Sequence, residues 1–183
     1  CQVSSEVMHP FLKKLVDEHV LFLAELGIFE ETILSIQRSG FTRELDTALK
    51  HFFHFFDREF VIHSRREEAD LFPLLGQRMI AEGEHSPGEN FTTPIDIMND
   101  DHLKAVQLAA VILNFRELAF RLTDENSRLI VLDAALEQGK NLIELLRLHI
   151  FREDNIVFPL AHRMISQAEF DEISAKVMRW NKA

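Results

Sequence analysis

His63-Ser-Arg-Arg-Glu67, with Phe72-Pro73 just downstream, and His149-Ile-Phe-Arg-Glu153, with Phe158-Pro159 at the same distance, decide how this chain folds. Residues four apart share one face of a helix, so each stretch aims an imidazole and a carboxylate in the same direction. Two such stretches facing each other supply the nitrogen and oxygen ligands that suit iron. The repetition points to a metal site built from a duplicated unit.

Upstream of each stretch lies an acid-acid-histidine triplet, Asp17-Glu18-His19 in the first half and Asp100-Asp101-His102 in the second. The separations are similar, 44 residues from His19 to His63 and 47 from His102 to His149. This order favours an all-α, up-down four-helix bundle of two hairpins related by a pseudo-twofold axis, each helix bringing one histidine to the centre.

The breakers place the helices. Pro10 opens the first, and Gly40 stops it after Ser39. Thr42 caps the second, which runs through His63 toward Asp70; Pro73, lacking an amide hydrogen, is expected to kink or end it. Gly83, Pro87 and Gly88 mark the one real loop, residues 82–92. Thr93-Pro94 starts the third helix, running to about Leu122. Asp124 or Ser127 caps the fourth, which extends past His149 to the second Phe-Pro. Ser166 and Glu169 form a capping box for a short C-terminal helix ending near Trp180. With 183 residues, 46 % of them hydrophobic, one domain over residues 1–183 with its core at about 10–165 is expected.

The formal net charge of −10 argues against nucleic-acid or anionic-membrane partners. The longest uncharged run, residues 105–115, is too short to cross a bilayer. No signal-peptide pattern is present, so a cytoplasmic location is expected. The single cysteine, Cys1, rules out an internal disulfide framework and cysteine-based metal sites. A start at Cys1 rather than Met is read as a trimmed chain or a piece of a longer one.

A bland reading makes the histidines hydrogen-bonded core residues and the glutamates surface groups. The surroundings oppose it. Leu15, Phe22 and Leu26 flank His19, Phe56 and Phe60 precede His63, and Leu142, Leu145 and Leu146 precede His149. Unpartnered carboxylates buried there as anions would cost several kcal/mol each, roughly. A metal removes that cost. The other His-x-x-x-Glu string, His85 to Glu89, spans Pro87 and Gly88 and defines no helical face. His51 and His54 point roughly 120° and 180° away from His63 on their helix, while His9, His85 and His162 lie outside the pattern. Glu18 and Asp101 are candidate acceptors for ring N–H groups, and Glu68 is read as solvated.

Taken together, His19, His63-Ser-Arg-Arg-Glu67, His102 and His149-Ile-Phe-Arg-Glu153, with Glu-Glu-Ala-Asp-Leu-Phe-Pro and Glu-Asp-Asn-Ile-Val-Phe-Pro, resemble the hemerythrin-like (HHE cation-binding) domain over about residues 11–165. The resemblance implies two iron ions with an oxo or hydroxo bridge. His19, His63, His102 and His149 would be terminal ligands, and Glu67 and Glu153 would span both irons. A ferritin-like site would need Glu-x-x-His on two helices; Glu6-x-x-His9 and Glu82-x-x-His85 fit that string but lie at the terminus and in the loop. Oxygen-carrying hemerythrins have a further histidine four residues past the third-helix ligand, where this chain has Val106. One histidine fewer implies an extra open position and makes reaction with oxygen, peroxide or nitric oxide easier to imagine.

The expected function is a non-haem di-iron protein that binds or senses O2, a binding protein more than a dedicated enzyme. The alternative is a stress-response role: iron–sulfur cluster repair, iron donation, or removal of nitric oxide or peroxide. Related repair proteins carry a cysteine-bearing N-terminal domain, of which only Cys1 has a counterpart here. A third reading is a helical interaction module with a purely structural metal.

Overall fold

In the computed structural model, which describes residues 8–180, every regular element is helical. Cys1 and Glu6 lie outside the described residues. Five helical rods follow one another: α1 (Pro10–Ser39), α2 (residues 43–82), α3 (Pro94–Arg121), α4 (residues 125–164) and α5 (Gln167–Trp180). The first four form the up-down bundle, with α1 packed against α2 and α4, and α3 against α4. No helix among the described residues is long and apolar enough to cross a membrane.

The ends form where local chemistry dictates. Gly40 takes a φ of 84°, and its N–H closes on Ile36 O. The Thr42 hydroxyl accepts from the Leu45 amide at 3.3 Å. Thr93 and Asp96 make a reciprocal capping box at α3, and Asp124 rather than Ser127 caps α4 by accepting from the Ser127 amide. His9 caps α1, its Nδ1 accepting from the Phe11 amide, and stacks on Phe170 of α5.

Pro73 does not end α2. The helix passes through two π turns, Phe56–Phe60 and Glu67–Leu71, and α4 has one at Glu153–Val157. In each, the amide after the turn reaches back five residues: Val61 to Phe56, Phe72 to Glu67, and Phe158 to Glu153. Pro73 and Pro159 then occupy the opening positions of renewed α-helix, where an absent N–H is least costly. Both glutamates therefore begin a widened turn, and π turns of this kind often accompany functional sites.

The apolar core is split. One cluster, around Phe29, Phe52, Phe56 and Leu142, fills the half of the bundle near the α1–α2 turn. The other, around Leu12, Phe72, Phe158 and Phe170, fills the half that α5 closes. Between them runs a buried layer of His19, His63, Glu67, His102, His149 and Glu153.

Helix α5 is tied back by Arg78 of α2, which donates to Glu169 Oε1 at 2.6 Å. The Glu169 Oε2 also accepts from the Ser166 amide and hydroxyl. These Ser166 and Arg78 contacts hold the carboxyl at about 2, below its ordinary 4.5. A depressed folded-state value means stability that is present above about pH 4.5 and lost as pH falls through about 2. Glu169→Ala is expected to lower the thermal midpoint at pH 7, and the difference from wild type should shrink to nothing across that acid range in a melting series.

Candidate metal centre

Each of the four bundle helices delivers one histidine to the buried layer, and α2 and α4 add a glutamate one turn on. The His19 and His63 Nε2 atoms stand 3.1 Å apart, and those of His102 and His149 3.0 Å. The two carboxylates run between these pairs. Glu67 sets Oε1 at 3.3 Å from His63 Nε2 and Oε2 at 3.5 Å from His102 Nε2. Glu153 sets Oε2 at 3.1 Å from His19 Nε2 and Oε1 at 3.2 Å from His149 Nε2. The result is two overlapping groups, His19–His63–Glu67–Glu153 and Glu67–His102–His149–Glu153.

What the ring nitrogens do on their far side decides what these groups fit. The Nδ1 atoms of His19, His63 and His102 each lie 2.7 Å from a carboxylate oxygen, of Asp154, Glu18 and Glu68 respectively. A carboxylate accepts only, so Nδ1 carries the proton and the Nε2 lone pair faces inward. None of the four oxygens of Glu67 and Glu153 has a hydrogen-bond partner, although both residues are completely buried. Each group thus gathers two imidazole and two carboxylate electron-pair donors. Donors bound at about 2.1 Å and at right angles to one another stand about 3.0 Å apart, the separation within each histidine pair. The donor set fits a pair of divalent cations sharing two carboxylates.

In the absence of a cation, protons must do the neutralising. Burial works against the charged imidazoles, yet the Glu67 charge and the Glu18 hydrogen bond push His63 up to about 10. Glu153 and Asp101 likewise raise His149 to about 9 against burial. Burial and the neighbouring His149 drive His102 down to about 3. Burial, reinforced by the Glu153 charge, raises Glu67, whereas His149 and His19 overcome burial and lower Glu153. The two carboxylates are thus pushed apart although their positions are nearly equivalent, as expected when anions share one site.

The outer contacts follow the same pseudo-symmetry. Arg66 donates to Glu18 at 2.7 Å and Arg152 to Asp101 at 2.8 Å, and each arginine directly precedes a centre glutamate. One contact departs. Asp101 Oδ2 stands 3.8 Å from His149 Nδ1, too far for a hydrogen bond, and that nitrogen is unpartnered. Aspartate is one methylene shorter than the glutamate at position 18. Phe72 stacks on His102 at 5.8 Å and Phe158 on His19 at 5.5 Å, which gives the repeated Phe-Pro its packing role.

All six residues expected from the sequence come together here. Glu68, expected to be solvated, is exposed and belongs to neither group, and it also accepts from His102. Asp154 and the two arginines were not expected in this role. Their signal lay in the repeat itself: Arg66-Glu67-Glu68 matches Arg152-Glu153-Asp154. His9, His51, His54, His85 and His162 belong to neither group. His51 is exposed near Glu25, and His85 packs on Phe91 in the loop.

Residues 11–161 match the family described as Hemerythrin HHE cation binding domain. No curated protein and no solved structure matches the chain.

Two outcomes are expected. Because neighbouring groups keep His63 and His149 protonated at neutral pH, divalent-metal uptake should release protons and tighten as pH rises. Calorimetry in buffers of differing ionisation enthalpy checks this. Glu18→Ala should weaken metal affinity about 10–100-fold. Asp101→Ala should cost less, since its contact with His149 is longer, and a competition titration with a chelator separates the two.

Proposed function

The chain belongs to the hemerythrin HHE cation-binding family, and from that premise we propose a non-haem di-iron protein that binds or senses O2. In this reading His19, His63, His102 and His149 would each hold one of two irons, and Glu67 and Glu153 would be shared between them, within one domain whose core is about residues 10–165. The irons would supply electrons and an open position for a small ligand. The observation that carries the reading is the donor count. Each half offers two imidazole nitrogens and two carboxylate oxygens, resembling the two-histidine, carboxylate sets of non-haem iron sites that keep positions free.

The chain's own residues prepare that chemistry. Glu18, Glu68 and Asp154 fix ring orientation at three histidines. Phe22 and Phe60 stand edge-on to His63 and His102, giving the layer walls without proton donors. Beside them is a void of about 10 Å³ lined by Phe22, Phe52, Phe55, Phe56 and Phe60 among others, which is apolar and stays dry. Dry walls slow proton entry during reaction with oxygen.

A second reading, stress chemistry on peroxide or nitric oxide or donation of iron, is favoured by Val106. It stands four residues past His102, is about half exposed, and can donate no ligand. Metal analysis with optical spectra of the reduced protein before and after air separates the readings. Two irons per chain and a charge-transfer band that develops with O2 and vanishes on degassing are expected for the first. Two irons that oxidise irreversibly favour the second, and one zinc, or no metal after iron reconstitution, overturns both.

A further inference from the structure

The two halves of the centre are alike in their donors but not in their access to solvent. On one side α1 packs along α4, linked by Arg147 to Glu30 and by His19 to Asp154. On the opposite side α2 meets α3 mainly through residues 72–82, and the helices part above that contact. The gap is a groove of about 740 Å³ whose walls include Asp57, Ser64, Arg65 and Glu68 of α2 and Asn99 and Val106 of α3, with His102 at its floor.

The pseudo-twofold repeat shows what opens the groove beside His102. The residue after His149 is Ile150, which is buried and fills the core. The residue after His63 is Ser64, whose side chain is two heavy atoms smaller than that of isoleucine and whose hydroxyl donates back to Phe60 O. The first π turn of α2, Phe56–Phe60, lies along the same wall, and Asp57 and Phe60 both line the opening. Access follows the same asymmetry. His102 is 4 % exposed, whereas His19, His63 and His149 are 1 % exposed and both glutamates 0 %.

We propose that this groove is the entry route by which a small hydrogen-bonding molecule of the peroxide class reaches the His102–His149 half of the centre. The inference rests on the di-metal reading above and deepens it. The mouth is wide, whereas His102 at its floor is only slightly exposed, which suits a small ligand. Arg65, Glu68, Asn99 and Asp57 offer donors and acceptors to a polar ligand along walls otherwise made by Phe60, Val61, Leu103 and Val106. Glu68 is at once a wall of the groove and the acceptor for His102 Nδ1, so a ligand entering there meets the residue that orients the histidine beneath.

The test uses azide as the probe on the iron-loaded full chain, with association followed by stopped-flow absorbance. Val106→Trp narrows the groove from the surface, and Ser64→Ile copies the other half of the repeat. Leu23→Trp places the same bulk four residues past His19, on the other side. The groove variants are expected to slow azide association about tenfold or more, while Leu23→Trp leaves it unchanged. Equal slowing by Leu23→Trp, or no slowing by Val106→Trp, overturns the proposal. Val106→Trp alters only an exposed position, so it decides the matter even if Ser64→Ile fails to fold. Hydroxyl-radical footprinting of metal-free protein gives an independent answer: His102 should oxidise faster than His19, and Val106→Trp should remove the difference. If no azide band forms in wild type, the di-iron reading fails, and the footprint still decides whether the groove reaches His102.

Discussion

Two carboxylates with no hydrogen-bond partner, sealed between two apolar clusters, are the constraint around which this bundle is organised. Leaving both ionised and uncompensated would cost several kcal/mol each, roughly, a large share of the stability of a small domain. The four imidazoles are the compensation in the protein alone, and their raised or lowered proton affinities record it. A cation between the donor groups would meet the same need. Helix positions, the split core and the outer shell of acids can all be read as ways of holding six polar side chains where polar side chains are otherwise unwelcome.

The pseudo-twofold relation extends outward from that layer in successive contacts. Arginine meets acid, acid meets imidazole, and imidazole meets the centre, with the acid supplied by a residue next to a member of the buried layer on another helix. Three of the four helices therefore lock a neighbour's histidine while presenting their own. The departures from symmetry are small in sequence and large in effect. Asp101 in place of a glutamate loosens one histidine, and Ser64 in place of an isoleucine opens one wall.

Much of this was legible in the residues. Periodicity and capping signals located the helices, because Gly40, Thr42, Thr93-Pro94 and Ser166 act locally and need no tertiary context. The six centre residues were legible because spacing on a helix fixes direction, and the repeat removed the ambiguity of any single histidine. Of the two outcomes expected at Pro73, a kink or an end, the end does not occur, since the rule that proline ends a helix assumes an unbroken i to i−4 ladder and the π turn supplies another. Glu68 and Asp154 were hard to read because whether an acid beside a ligand faces solvent or a neighbouring ring depends on helix crossing, which no single segment encodes. The groove was invisible for the same reason: it belongs to the space between two helices.

The π turns at Glu67 and Glu153 carry one residue more than an α-helical turn needs, so the helix on either side is out of phase with itself by about 100°. Phe72 and Phe158 face the imidazoles only because of that offset. The extra residue works as a mechanical phase shifter: it lets one rod show a ligand-bearing face upstream and an aromatic lid downstream, both toward the same axis. A chain shortened by one residue there could keep every side chain of the centre and still turn its lid toward solvent.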